Sequence, residues 1–425
     1  MHEAHRPTAR HWRILVFAWL VWLGGFASLM LMSFVLGPVK AAFGPSELAL
    51  AWLTGLAIGA TGVGGFVFGA LADRAGRRTS MAVAVLAFVA GNVACALAPS
   101  FTALAAARVL AGLGIGGAWG AGQAMIGETF PAALRGRYAA FAQSGAPLGL
   151  GLATVIGTFV TPQIGWRASF ALGALPALLL LLLPLVPESD IWHAAGRGHG
   201  LSAMARTLVA PPVGSLFVRC FVLTTLAISN YYFMITWLPR YLQVERGLSL
   251  ARSGWATLAF VAGALLGYPA FGFAADVRGR RIAFTVFSLL TAGSLLMFTV
   301  FYPLIAGEPR LVLVFLFVAG VGTGIWSLFG PMMSELFPTR VRGSAMSIVM
   351  NTTRGVQLLA PVAIAAVAPI WGMSGGIALA AGFAVLAGAF VWTLPETRGR
   401  AITAADEATL HELASPRSAG AEAAG

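Results

Sequence analysis

Apolar runs long enough to cross a bilayer follow one another along almost the whole chain. Nothing else in the sequence constrains the fold so strongly. A helix rises about 1.5 Å per residue, so about 20 apolar residues span the hydrocarbon core. By that rule the sequence predicts twelve spans. Six lie at residues 14–36, 48–72, 79–98, 101–126, 137–160 and 165–186. Six more lie at 216–238, 251–275, 282–302, 310–333, 344–368 and 372–394. The chain is 58% hydrophobic and only 10% charged. Soluble domains carry about 25% charged residues, so this chain lacks the charges to cover a water-facing surface. The expected class is an all-α membrane protein. The first run is too long for a signal-peptide core and reads as a retained span.

Polar segments divide the runs. Residues 187–215 hold prolines, histidines and arginines and read as a cytoplasmic linker. That sets a six-helix bundle over 1–186, a second over 216–400, and a cytoplasmic tail over 401–425. The net charge of +12 is spread in short clusters between spans, not gathered into one stripe. Such clusters orient membrane spans, and nucleic acid is excluded as a partner. With an even number of spans, the clusters around Arg10, Arg74, Arg135, Arg278, Arg340 and Arg398 share one side. They outnumber the basic residues opposite, which include Lys40, Arg240 and Arg246. Both termini are therefore expected in the cytoplasm, with the protein in a bacterial inner membrane.

Three landmarks recur between the halves. Gly69-Ala70-Leu71-Ala72-Asp73-Arg74-Ala75-Gly76-Arg77-Arg78 returns as Gly272-Phe273-Ala274-Ala275-Asp276-Val277-Arg278-Gly279-Arg280-Arg281. Glu128-Thr129-Phe130-Pro131 returns as Glu335-Leu336-Phe337-Pro338, with Arg135-Gly136 matched by Arg342-Gly343. Pro187-Glu188-Ser189 returns as Pro395-Glu396-Thr397. Six spans per repeat give both copies one orientation, so the halves are parallel repeats about an axis along the membrane normal.

These landmarks, with Arg108-Val109-Leu110-Ala111-Gly112 in the fourth span, resemble the major facilitator superfamily. The half-ending motifs look like those of its sugar-porter, metabolite/proton and aromatic-acid/proton branches. The resemblance implies a twelve-helix secondary transporter in which one bundle rocks against the other around a central site. It also implies that the signature loops latch the cytoplasmic side. The latch residues are then Asp73, Arg77, Arg78, Glu128 and Arg135, with Asp276, Arg280, Arg281, Glu335 and Arg342 in the second half. Asp73 would accept hydrogen bonds from the N-terminus of span 11, since a helix N-terminus carries partial positive charge.

Every acid in the sequence lies in a terminus, a loop or a span end, and no histidine lies inside a span. Two arginines do. Arg354 is near the middle of span 11, and Arg108 is within span 4. A central Arg costs about 2.5–3.5 kcal/mol on insertion scales and normally faces a cavity or partner. With no carboxylate of the chain nearby, a substrate anion is the expected partner, held by a fork suited to carboxylate. Asn351 and Gln357 lie three residues either side of Arg354 and share its face by spacing. Asn351-Thr352-Thr353-Arg354 also resembles an Asn-x-x-Arg pattern of carboxylate transporters. Arg108 has a competing structural role, because the superfamily signature carries an Arg there. Asn230, Tyr231 and Tyr232 in span 7, Gln143 in span 5 and Trp119 in span 4 complete the candidate set. Trp326 in span 10 is a weaker member.

The expected function is uptake of a small organic anion, a mono- or dicarboxylate or aromatic acid. A sugar or polyol carrier and a drug efflux pump are the alternatives. A sensor on the same fold would add a soluble domain, and an enzyme would need a nucleophile–base or metal-ligand set. No cofactor is expected. The expected partners are a small anion, the lipid bilayer and protons, and the chain is expected to be a monomer. The resembling proton symporters carry an acid in span 1, where this chain has Leu23-Gly24-Gly25-Phe26. A proton route would then use the substrate carboxylate, Glu128 or Glu335.

Overall fold

The computed structural model describes residues 7–131, 135–189, 213–337 and 342–398. Most of the expected linker and the whole tail over 401–425 lie outside those residues. Among them, ten segments are long and apolar enough to cross a membrane. Two of the ten, Phe141–Leu185 and Ala345–Thr393, run 45 and 49 residues. That is about twice the length one crossing needs. Each divides at a glycine in the left-handed region, Gly165 (φ 82°) and Gly372 (φ 69°). The described residues thus give the twelve spans.

Helices overrun the apolar stretches at their ends. Span 1 is Ala9–Phe43 and span 2 is Glu47–Ala75. Span 3 is Arg77–Leu97 and span 4 is Phe101–Thr129. The expected loop between spans 2 and 3 is therefore one residue, Gly76. It takes φ 96° and ψ 156°, and its repeat mate Gly279 takes φ 97° and ψ 155°. An L side chain rarely adopts that backbone, which is why a glycine closes each corner. Beyond the second corner, span 9 is Arg280–Phe298, following span 8 at Leu250–Arg278.

Within the first half, span 4 packs on spans 2 and 3, and span 1 packs on spans 4 and 5. In the second, span 10 packs on spans 8 and 9, and span 7 meets span 12 through Phe233 and Phe383. The halves meet along two seams. Span 2 lies on span 11, and the middle of span 5 lies on span 8. Small residues make the first seam close. A Cβ on Gly55 would collide with the Leu358 carbonyl, and one on Gly62 with the backbone of Asn351 and Gly355. Without a hydrophobic drive between helices in lipid, such close backbone packing supplies the contact.

Among the described residues four spans break near the centre; span 6 passes from α-helix ending at Leu172 to a 3-10 run, Leu175–Leu185. Span 5 is Arg135–Gln143 followed by Gly145–Val155 and a π turn, Ile156–Val160. Span 10 is Pro309–Gly322, a 3-10 turn Thr323–Ser327, and Phe329–Leu336. Span 11 stops at Val356 and restarts at Leu359. Irregular backbone at membrane depth is tolerated where it is buried in protein or lines a cavity. Here the breaks of spans 5, 10 and 11 sit beside the same cavity.

Candidate functional site

The cavity lies between the halves and is nearly closed, with room for about one water. That is far below the size of ligand cavities, so its wall must part to admit a substrate. Trp22 and Phe26 come from span 1, Gln143 and Ala146 from span 5. Tyr231 and Tyr232 of span 7, Tyr268 of span 8, Trp326 of span 10 and Arg354 of span 11 complete it. Span 7 runs Val213–Ile235, and its two tyrosines sit one turn before its end.

The aromatic rings form one connected wall. Phe26 and Tyr231 lie 6.4 Å apart between centroids, and Tyr231 and Trp326 lie 5.2 Å apart edge to face. Tyr231 and Tyr232 meet edge to face at 5.8 Å. Such offset and edge-to-face pairs are the favoured aromatic geometries.

Arg354 is the cationic group at this wall, and its side chain is 3% exposed. Its Cζ lies 3.7 Å from the Trp119 ring centroid and 5.4 Å from that of Trp22. Its Nη1 is buried without a hydrogen-bond partner. A guanidinium stacked by its face keeps its N–H edge available, and that edge matches a carboxylate in two parallel bonds. Trp119 is fixed in turn: its Nε1–H donates to Gln143 Oε1 at 3.1 Å.

The other sequence candidates go elsewhere. Asn351 does not face the cavity. It packs against Gly65 of span 2 and donates to Ser347 Oγ at 3.2 Å. Gln357 points to span 7, where its Nε2 donates to Ser229 Oγ at 3.0 Å. The helix break after Val356 takes Gln357 off the regular period, so the shared face predicted from spacing does not form. Asn230 is buried and is not part of the cavity lining.

Arg108 is corrected from a substrate group to a structural one. Its Nη1 and Nη2 donate to the carbonyls of Ser28 and Leu29 in span 1, at 3.1 and 3.0 Å. Its Cζ also lies 5.5 Å from the Phe170 ring of span 6. Trp22, Phe26 and Tyr268 were not singled out by sequence reasoning. Aromatics in apolar runs look like packing, and only the fold shows them sharing one wall with Arg354.

The signature residues also form a defined cluster. Arg77 bridges two acids, with Nη1 to Asp73 at 2.7 Å and Nη2 to Glu128 at 2.8 Å. Arg280 pairs with Asp276 at 3.4 Å. The side chains of Arg135, Glu335 and Arg342 lie outside the described ones, as does the chain just before span 11. The carboxylates that meet helix N-termini here are Glu188 and Glu396. Glu188 accepts from the backbone N–H groups of Arg77 and Arg78, each at 3.0 Å. Glu396 accepts from those of Arg280 and Arg281, at 2.9 and 3.1 Å. Arg78 and Arg281 thus enter the cluster through their backbones. Burial pushes the Glu396 carboxyl up, but N–H donors from Arg280, Arg281, Arg398 and Thr397 outweigh it and hold it below the usual value of 4.5.

Two repeated bundles, a central cavity shared between them and broken helices at its wall have the build of a membrane carrier. The family model described as Major Facilitator Superfamily matches residues 17–254 and 221–420, and the chain belongs to that family. It is thereby a secondary transporter of small molecules, a multi-pass membrane protein and not an enzyme. The chain is 28% identical over 400 residues to the cis,cis-muconate transport protein of Acinetobacter baylyi, covering 92% of this chain and 94% of that one. It is 28% identical over 316 residues to the gentisate transporter of Corynebacterium glutamicum, covering 72% and 69%. Among solved structures, the inward-open xylose transporter XylE from E. coli superposes with a TM-score of 0.74 at 22% identity, covering 95% and 100%. At that identity the likeness is one of fold.

Proposed function

We propose that the chain carries a small planar carboxylate, aromatic or otherwise unsaturated, across the inner membrane by alternating access. The observation that carries this reading is Arg354: a buried guanidinium with an unpartnered Nη1 in a cavity walled by aromatic rings. A carboxylate satisfies the N–H edge in a low-dielectric site, where charge-assisted bonds are roughly twice as strong as neutral ones. The rings of Phe26, Tyr231 and Trp326 suit a flat π system better than a hydroxyl-rich body, which needs many polar partners. The relatives named for muconate and gentisate support the same substrate class.

The test is uptake into proteoliposomes with a panel of radiolabelled aromatic acids, aliphatic acids and sugars. Aromatic acids are expected to be taken up and to compete with one another. In Arg354→Gln, kcat/KM should fall at least about a hundredfold, consistent with leaving a buried charged hydrogen bond unmade. Sugar uptake insensitive to aromatic acids would replace this reading with that of a sugar carrier.

A further inference from the structure

The partner that this chain gives Arg354 is an indole, not a carboxylate. The Trp119 ring belongs to span 4 and Arg354 to span 11, so their contact bridges the two halves. At 3.7 Å it is the shortest approach of a guanidinium to an aromatic ring among the described residues. Trp119 is not free to swing, because Gln143 of span 5 holds its N–H. The Trp22 ring lies 6.0 Å from the Trp119 ring and 5.4 Å from the Arg354 Cζ. The guanidinium thus stands against a π face that its own half does not supply.

This arrangement answers a problem that the anion reading creates, and the inference rests on that reading. A loaded carrier crosses its closed state with the arginine neutralised by substrate. An empty carrier must cross the same state with the arginine alone, and an uncompensated buried cation is costly. A carboxylate in the protein would remove that cost but would also compete with the substrate for the same N–H edge. An aromatic face lowers the energy of the cation and leaves its edge open.

We propose that Trp119 is the positioning residue that lets the empty carrier reorient, as a neutral stand-in for the substrate anion. Its contribution is larger when the site is empty, since the loaded site retains the carboxylate. Trp119 therefore sets whether the carrier can perform net transport or only exchange. Gln143 acts through Trp119 by fixing the indole.

The experiment compares two fluxes of radiolabelled benzoate in proteoliposomes. Net uptake into empty vesicles requires return of the empty carrier. Counterflow into vesicles preloaded with unlabelled benzoate does not. In Trp119→Leu, the ratio of net uptake to counterflow should fall about tenfold, the scale of a desolvated cation–π contact. Trp119→Tyr keeps a π face and should restore much of the ratio. An equal loss of both fluxes in Trp119→Leu, or a Tyr variant no better than Leu, makes the residue merely structural and overturns the proposal. An unchanged ratio overturns it as well. Arg354→Gln separates the two levels. If it transports benzoate as the wild type does, or if the wild type carries no benzoate, the underlying anion reading fails. If only the Trp119 ratio fails to move, the anion reading stands and this inference falls.

Discussion

At the scale of single residues, two buried arginines of the same chain do different work. Arg108 ends its fork on two carbonyls of span 1, so its charge is solvated by backbone. Each has one buried nitrogen without a partner, Nε in Arg108 and Nη1 in Arg354, but Arg354 has no such carbonyls and faces aromatic rings instead. The sequence alone treats both as intramembrane cations, because the rule that such residues face a partner does not say which partner. The difference yields a prediction. Arg108→Lys loses the two-carbonyl fork and should lower stability by about 1–3 kcal/mol. It should leave the KM of the transported acid within about twofold, since no contact with the cavity is removed. Thermal unfolding in detergent and a KM measurement on the same preparation check both parts. Asn351 and Gln357 teach a related point. Spacing places Gln357 with Arg354 only while the helix stays regular, and span 11 breaks immediately after Val356, whereas Asn351 stays in the regular helix and is taken up by Gly65 of span 2 and by Ser347.

At the scale of elements, the repeated motifs turn out to be helix corners and their caps. The periodic apolar runs made the spans legible, because each must bury its own backbone in lipid. The corner geometry was not legible. A charged ten-residue stretch reads as a loop, yet helix persists through Asp73 and Arg74 and resumes at Arg77. Glu188 and Glu396 were visible only as landmarks. Their function depends on a contact with residues more than a hundred positions earlier, which no local pattern reports. A carboxylate on exposed helix N–H groups is stabilising by charge and by hydrogen bond. Glu396→Gln should therefore lower stability near neutral pH by about 1 kcal/mol, the usual scale of a cap. The sign of its pH dependence follows from the depressed pKa. The contribution is complete above the ordinary value of 4.5 and is lost as pH falls through the lower folded value. The Tm difference between wild type and Glu396→Gln should accordingly be constant from pH 8 to 5 and shrink in more acidic buffer.

At the scale of the whole molecule, the end opposite the signature corners is tied across the halves. Glu47, at the start of span 2, pairs with Arg240 from the short helix Leu238–Val244 that follows span 7. Lys40 at the end of span 1 reaches the same carboxylate at 2.7 Å. Below these pairs, Gly254 of span 8 packs against Thr158 of span 5. With the cytoplasmic orientation expected from the arginine distribution, these contacts close the outer face. Glu47 is part exposed, so the pair is worth about 0.2–1 kcal/mol and is screened by salt. Glu47→Gln should therefore shift the population modestly towards an outward-open form. Hydrogen exchange should show faster labelling of span 7 around Tyr231, and the gain should diminish in high salt. Unchanged exchange at low salt would remove Glu47 from the closing contacts.

The proposed function requires that one buried guanidinium select the substrate by its carboxylate. The most direct measurement is calorimetric binding to the purified protein of two ligands of nearly equal shape, benzoate and benzamide. A site built around a charged hydrogen bond rejects the neutral analogue strongly, because its buried donor is left unpaired. The account predicts that benzoate binds at least about a hundredfold tighter than benzamide, and that Arg354→Gln abolishes the preference. Equal affinity for the two, or a preference that survives in Arg354→Gln, would contradict it.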